Sequence, residues 1–192
     1  RAGGVAMEDF RLGEATASAQ WDKDDKSPVS AADLAVDALL RDALTRLLPE
    51  SGWLSEETAD TTDRLSRDYV WIVDPIDGTR DYIRGRAGWA VSVALVYCGE
   101  VAAAWLYAPA RHEMLVAVQG EGATCNHAPL TASQRTEITG ARFPAHHLPP
   151  FARDMEASPC PNSIALRMVE VACGRADVLA TVRWGAEWDV AA

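Results

Sequence analysis

The sequence has no long apolar run and no leader-like start, and both absences narrow its cellular setting. Its 192 residues contain no stretch of about 18 apolar residues, the length a membrane-spanning helix needs. Residues 1–5, R-A-G-G-V, lack the charged and then apolar layout of a signal peptide. We therefore expect a cytoplasmic protein with no membrane partner.

The chain has few cysteines, and their spacing matches no metal-binding or redox motif. The four cysteines, Cys98, Cys125, Cys160 and Cys173, form no C-x-x-C pair. This spacing argues against zinc knuckles and thioredoxin-like chemistry. The cysteines are therefore interpreted as free thiols, which fits a reducing compartment.

Basic residues are also in short supply. The chain has 18 Lys and Arg against 28 Asp and Glu, a formal net charge of −10. Nucleic-acid binding calls for a basic stripe, and the sequence contains none, so we expect no nucleic-acid partner. The acidic excess is compatible with a metal site, but composition alone favours an acidic solvated surface as its explanation.

The hydrophobic pattern predicts an α+β protein with a largely antiparallel sheet. Residues 31–48 have an apolar face at helical spacing, with Ser30 as N-cap. Bulky β-formers at 69–73 predict a buried strand. Further strands are expected at 89–97, 101–107, 114–118 and 178–182, and a helix at 163–174.

Five carboxylates lie at the edges of apolar segments. They are Glu56, Glu57, Asp74, Asp77 and Asp189. If they converge, their repulsion requires cations, and ligation by oxygen alone suits Mg²⁺ or Mn²⁺. Turn and capping roles are the alternative interpretation for four of them, and for Glu57 the alternative is to support a ligand without binding the metal itself.

The segment 74–79, D-P-I-D-G-T, is the most informative. Pro75 fixes the backbone between two aspartates, and Gly78 permits a tight turn close to a ligand. Backbone N–H groups of Gly78 and Thr79 can cradle a phosphate if a helix begins there. The segment differs from the D-x-D-G-T of haloacid dehalogenases, because Pro75 stands where their nucleophilic aspartate would be.

Four motifs in order resemble the inositol monophosphatase superfamily. W-I-V-D-P-I-D-G-T at 71–79 is similar to its signature sequence. S-P-V-S-A-A-D at 27–33, L-S-E-E-T at 54–58 and W-D-V-A-A at 188–192 resemble its other conserved segments. The resemblance implies a layered α/β/α/β/α sandwich and a lithium-sensitive, Mg²⁺-dependent phosphatase, commonly a homodimer.

The resemblance also implies metal ligands. Glu56, Asp74 and the Ile76 carbonyl would hold one ion, and Asp74, Asp77 and Asp189 a second. A third, weaker site would involve Glu56, which gives two to three Mg²⁺ ions in all, with Mn²⁺ as a substitute.

The same resemblance assigns catalytic roles to three residues. Asp33 and Thr79 would orient the attacking water, and Glu56 would act beside them at the third metal site. Paired metals lower the pKa of a bridging water, so no covalent enzyme intermediate is needed.

Substrate choice points to more than one subgroup. The substrate contacts implied are Asp77, Gly78, Thr79, Arg80 and Arg167. Arg80 and Arg167 favour a 3′(2′),5′-bisphosphate nucleotidase, which is the first expectation from the sequence, and Val182 stands where inositol-specific members have a glutamate. The loop 120–126, G-E-G-A-T-C-N, instead resembles inositol phosphatases. Histidinol phosphate is a third possibility, and an inactive phosphate- or metal-binding module is the alternative of another class.

We expect a single catalytic unit over residues 1–192. An N-terminal lobe over 1–125 and a C-terminal lobe over 126–192 would share it. By comparison with the family pattern, both ends are expected to be incomplete.

Overall fold

The structure is a computed structural model that describes residues 1–24, 26–181 and 185–192. Its α-helices are α1 (Ala2–Glu8), α2 (Ala31–Leu47), α3 (Thr79–Ile83), α4 (Ile164–Ala172) and α5 (Glu187–Val190). Its strands are β1 (Gln20–Asp22), β2 (Pro28–Ser30), β3 (Gly52–Ser55), β4 (Tyr69–Asp77), β5 (Ala90–Tyr97), β6 (Glu100–Ala108), β7 (Glu113–Val118), β8 (Gly122–Cys125), β9 (Ala128–Pro129), β10 (Arg142–Pro144) and β11 (Glu156–Ser158).

One seven-stranded sheet forms the centre of the fold. Its order is β3-β4-β5-β6-β7-β8-β9; β3 and β4 are parallel and the other pairs are antiparallel. The predicted hairpin is present, because Cys98 and Gly99 both have positive φ (49° and 88°) in the turn between β5 and β6. Such turns match the twist of the flanking strands. The predicted fold class, with its largely antiparallel sheet, is confirmed.

The two faces of this sheet are covered by different helices. Trp71, Val73 and Val91 alternate onto one face and pack with α1 and α2 residues such as Val36. Leu106 and Leu115 lie in the other core with Leu166 of α4. Side chains alternate along a strand, so this sheet presents apolar residues on both of its faces. It therefore packs against α2 on one face and α4 on the other, and fixes both helices relative to β4.

The last predicted strand is wrong where it can be checked. Residues 178–181 form no strand, and Val182 lies outside the described residues. The apolar run suggested a strand, but the backbone there turns toward β10 instead, with Asp177 and Val178 N–H groups donating to the Arg142 carbonyl. A short apolar run cannot form a strand without a partner edge, and the local sequence does not supply one.

No structure was predicted between residues 129 and 161, but the segment contains a small parallel pair, β10 and β11. Within the described ranges, no helix is long and apolar enough to cross a bilayer.

Candidate metal and phosphate site

A cavity of about 410 Å³ opens where β4 ends. The sequence-predicted site residues on its wall are Glu56, Asp74, Asp77, Gly78, Thr79, Arg80, Arg167 and Asp189. Asp33 and Ile76 lie behind this wall, and both are fully buried. The fold thus brings together residues spread over more than 150 positions of the chain.

Three aspartates form the centre of the cavity. One carboxylate oxygen from each of Asp74, Asp77 and Asp189 lies within 4.8 Å of the other two. Asp74 and Asp77 are at the end of β4 and are buried, whereas Asp189 comes from α5. The predicted convergence of these three side chains is therefore present in the fold.

Each aspartate is oriented by backbone or hydroxyl donors. The Ile76 N–H donates to Asp74 Oδ1 (3.0 Å), and the Ala186 N–H to Asp189 Oδ2 (2.7 Å). Asp77 Oδ2 accepts from the Ser163 hydroxyl and from the Ala165 N–H (2.9 Å). The first turn of α4 therefore contacts Asp77 directly and satisfies part of its charge.

The acids raise one another's pKa. Burial, followed by the charges of Glu56, Asp77 and Asp189, raises the pKa of Asp74 well above its ordinary value. Burial raises the pKa of Asp77 to about 7, although its bonds from Ser163 and Ala165 oppose the shift. Burial and the charge of Glu56 also raise the pKa of Asp189. These carboxylates lack compensating positive charge.

The donor set fits a divalent cation. Among residues 1–24, 26–181 and 185–192, no Lys or Arg forms an ion pair with Asp74, Asp77 or Asp189. Clustered carboxylate oxygens without a basic partner are the ligands that Mg²⁺ and Mn²⁺ prefer. A bound cation would remove the repulsion that raises these pKa values.

Glu56 and Glu57 have different surroundings. Glu56 is on the cavity wall, but its Oε1 is 2.9 Å from Lys23 Nζ and it lies outside the three-aspartate group. Glu57 faces a second cavity of about 320 Å³, and its Oε1 is 2.6 Å from the same Nζ. Burial raises the pKa of Glu57 to about 7, against the bond from Lys23. The two glutamates thus share the Lys23 ammonium group, and of the two only Glu56 borders the main cavity.

Asp33 and Thr79 form a buried relay behind the aspartates. Thr79 Oγ1 is 3.3 Å from Asp33 Oδ1 and 3.1 Å from the Ile76 carbonyl oxygen, so its proton can go to either acceptor. Asp33 Oδ2 accepts from Ser30 N–H and Oγ at the start of α2, where the predicted N-cap is found. Burial raises the pKa of Asp33 to about 6.

Gly78 is required by its surroundings. Its φ is +93°, and an added Cβ would lie 2.6 Å from the Gly88 carbonyl oxygen and 2.8 Å from Ser163 N. Helix α3 begins at the next residue, and a helix start there is the condition on which the expected phosphate cradle depends. Gly78 therefore lets the chain turn while α4 packs closely behind it.

Arg80 and Arg167 differ in how far their guanidinium groups are already hydrogen-bonded within the protein. Arg80 is exposed on the cavity wall. Arg167 donates from Nε to the Pro161 carbonyl (2.6 Å) and from Nη2 to the Asn162 carbonyl (3.4 Å). The glutamate position of inositol-specific members, Val182, lies outside the described part of the chain.

Sequence reasoning missed three contributors to the site. Ser163 was predicted to begin a helix, but its contact with Asp77 spans 86 positions and had no local signal. Asn162 lines the cavity, and its N–H donates to the buried Asp81 carboxylate (3.0 Å). Lys23 was visible only as one basic residue in K-D-D-K.

Comparisons with known proteins agree with this geometry. The family model described as "Inositol monophosphatase family" matches residues 1–192. The Nus factor SuhB of Xylella fastidiosa is 35% identical over 168 residues, 78% of this chain and 58% of that protein. The inositol-1-monophosphatase of Rhizobium meliloti is 36% identical over 115 residues, 59% of this chain and 42% of that protein.

A solved structure supports the same fold. The IMPase of Thermotoga maritima superposes with a TM-score of 0.84 at 26% identity, covering 100% of this chain and 75% of that one. The chain spans about half the length of the curated relatives it matches.

Proposed function

This chain belongs to the inositol monophosphatase family, and we propose that it carries the catalytic centre of a metal-dependent phosphatase acting on a small phosphate monoester. The observation that supports this most directly is the three-aspartate group, with carboxylate oxygens within 4.8 Å and no basic partner in the described residues. Divalent ions held there would activate a water and offset negative charge on the phosphate.

The proposed ligands are those that the family resemblance implies, and the three-aspartate group supports three of them. Asp74, Asp77 and Asp189 would hold one ion, and Asp74 with the Ile76 carbonyl and Glu56 another. Glu56 would exchange Lys23 for the metal, since it lines the same cavity as the three aspartates. Two to three Mg²⁺ ions, or Mn²⁺ in their place, are proposed.

Asp33 and Thr79 are proposed to handle the water proton. Thr79 lines the cavity and its hydroxyl donates to Asp33, so the lone pairs of this hydroxyl are proposed to accept a hydrogen bond from a water in the cavity. Asp33 is buried and its Oδ1 accepts from the Thr79 hydroxyl, so it can take up a proton that this hydroxyl passes on. The Ser30 donors hold its other oxygen in place.

Two substrate classes are supported by different observations. The name of the Rhizobium meliloti relative favours inositol 1-phosphate, which we rank first. Arg80 and Arg167 on the cavity wall favour a nucleoside 3′(2′),5′-bisphosphate, because guanidinium groups bind a second phosphate well. Arg167 already donates to two carbonyls, so Arg80 is the freer of the two.

The partner proposals are simpler. With a net charge of −10, the chain is proposed not to bind nucleic acid, although a relative is named a Nus factor. A cytoplasmic homodimer is proposed by analogy with the family.

A panel of phosphate esters tests the function. Phosphate release would be measured with inositol 1-phosphate, adenosine 3′,5′-bisphosphate and histidinol phosphate, each with Mg²⁺, with Mg²⁺ plus Li⁺, and with EDTA. We expect Mg²⁺-dependent release that lithium inhibits. Tight Mg²⁺ and phosphate binding by calorimetry without release from any ester would instead identify a binding module.

A further inference from the structure

Asp37 is a buried carboxylate for which the proposed mechanism has no role. It lies on α2 one turn after Asp33, and its residue is 7% exposed. Among the residues that the structure describes, no Lys or Arg forms an ion pair with it. A buried carboxylate that has no cation as partner needs strong hydrogen bonds. The groups that donate those bonds therefore indicate which part of the structure Asp37 stabilises.

Both donors to Asp37 come from one turn. The Ser55 hydroxyl donates to Asp37 Oδ1, and the Thr58 hydroxyl to Oδ2 at 2.8 Å. Ser55 and Thr58 also pair with each other as an isolated antiparallel bridge. The two residues between them are Glu56 and Glu57, so Asp37 holds both ends of the turn that presents these glutamates.

The first residue of the turn, Ser55, also pairs with Val73 in the ladder between β3 and β4. The Glu56 N–H donates to the Val73 carbonyl at 3.3 Å, and the Glu57 N–H reaches the Ser55 hydroxyl at 3.4 Å. Both are long bonds. The side chains of the two glutamates form ion pairs with Lys23, which lies in the β1–β2 hairpin. The Asp37 carboxylate accepts from the hydroxyls of both Ser55 and Thr58, and so it ties Thr58, at the end of the turn that lies beyond β3, to helix α2.

Helix α2 therefore positions two parts of the site with two carboxylates. Residues four apart lie on one face of a helix. Asp33 holds Thr79 on the β4 side, and Asp37 holds the glutamate turn. From this juxtaposition we propose that Asp37 is a positioning residue that sets where Glu56 meets a metal ion.

This proposal depends on the proposed function, because it assigns Glu56 to a metal. It makes a narrower claim: Asp37 acts through the turn, not on the reacting atoms. Loss of Asp37 should raise the metal concentration that the site needs, while the rate at saturating metal is largely kept. A residue that only stabilised α2 would change the unfolding midpoint without changing metal affinity.

The test uses Asp37→Asn, which keeps the shape but leaves one oxygen to accept from two hydroxyls. Mn²⁺ binding is measured from the free-ion EPR signal, and Mg²⁺ titrations of activity give the half-saturating concentration. We expect the Mn²⁺ dissociation constant to rise about tenfold, with the rate at saturating metal within threefold of the parent. Asp42→Asn, an exposed change on the same helix, should leave both unchanged.

Thr58→Val provides a second route to the same contact if Asp37→Asn does not fold. It removes one donor from the turn and should weaken Mn²⁺ binding in the same direction, by about threefold to tenfold. Asp37→Asn or Thr58→Val with parental Mn²⁺ affinity would overturn the positioning role while leaving the proposed function intact. A parent protein that binds no Mn²⁺ would overturn both.

Discussion

Both ends of helix α4 have buried carboxylates, but over the described stretches of the chain only those at its C-terminal end form ion pairs with arginine side chains. At its first turn, Ser163 and Ala165 donate to Asp77, which lies beside Asp74 and Asp189. Near its last turn, the buried Glu170 accepts from Arg111 (2.7 Å) and Arg175 (2.8 Å). The helix thus connects an acid cluster without cations to one that is neutralised.

The pKa values follow this difference. Burial and neighbouring acids raise the pKa of Asp74 and Asp77. Burial also acts to raise the pKa of Glu170, but the bonds from Arg175 and Arg111 outweigh it, and the pKa lies below its ordinary value. Glu113 completes the network, with contacts to Arg111 (3.2 Å) and Arg175 (3.1 Å).

The presence or absence of basic partners distinguishes a cluster of carboxylates that stabilises the fold from one that can bind a cation. Where the chain supplies its own cations, carboxylates stabilise the fold and need nothing further. Where it supplies none, the repulsion costs stability until a ligand brings positive charge. Replacing a carboxylate by its amide at each end should therefore have opposite effects on metal-free stability.

The largest effect is expected for Asp74→Asn. Activity on the best ester of the panel should fall on the order of 1,000-fold, because the proposed ligand shared by two ions loses its charge. In EDTA, the same variant should unfold at a higher temperature than the parent, since a buried repelling charge is gone. Phosphate release and thermal unfolding, both with matched wild-type samples, measure the two effects. An active Asp74→Asn variant would contradict the ligand assignment.

Glu170→Gln should show the reverse pattern. It leaves Arg111 and Arg175 with one acid between them, and we expect the free energy of unfolding to fall by about 2 kcal/mol. Activity at saturating Mg²⁺ should stay within about threefold, since Glu170 lies at the other end of α4 from Asp77. Urea unfolding checks the first expectation. A stable but inactive variant would show that the network acts on the site rather than on the fold.

The same contrast shows which features could be predicted from sequence. Helix α2 and strand β4 have strong local signals: a Ser30 cap with an apolar face, and a run of bulky β-formers. Asp74 and Asp77 are on one strand end, so their proximity follows from chain geometry alone. Asp189 required the resemblance to a family, because no local pattern says that it returns to β4.

The contacts that could not be predicted are non-local and made by ordinary residues. The Ser163 hydroxyl is one of many in the sequence until α4 places it on Asp77. The Asp37 contacts cross 18 and 21 positions. The strand expected at residues 178–181 failed for the same reason, since strand formation needs a partner edge that sequence pattern does not reveal.

A pH titration compares both clusters in one protein. A carboxyl group whose pKa is higher in the folded than in the unfolded state favours folding as the pH falls. In EDTA, lowering the pH from 8 to 6 should therefore raise the free energy of unfolding by about 2 kcal/mol, because the pKa values of Asp77 and Glu57 are both about 7. Saturating Mg²⁺ should remove the part of this gain that comes from Asp77, and Asp74→Asn should reduce that part.

The paired cluster should respond in acid with the opposite sign. Glu170 has a folded pKa below its ordinary 4.5, so its contribution is complete above that value and is lost as the pH falls through the folded pKa. Chemical unfolding across pH 3 to 8 resolves both arms. A flat profile between pH 8 and 6 in EDTA would count against uncompensated charge in the three-aspartate group.

The smallest effect is expected where an ion pair lies in solvent. Glu50 pairs with Arg67 at 3.1 Å, but the Glu50 side chain is 89% exposed. Water screens both charges, so Glu50→Gln should change the free energy of unfolding by less than about 0.5 kcal/mol. Urea unfolding beside Glu170→Gln makes the comparison direct, since both variants exchange a paired carboxylate for an amide. Equal losses from the two would mean that pairing, rather than burial, sets the stability of the Glu170 network.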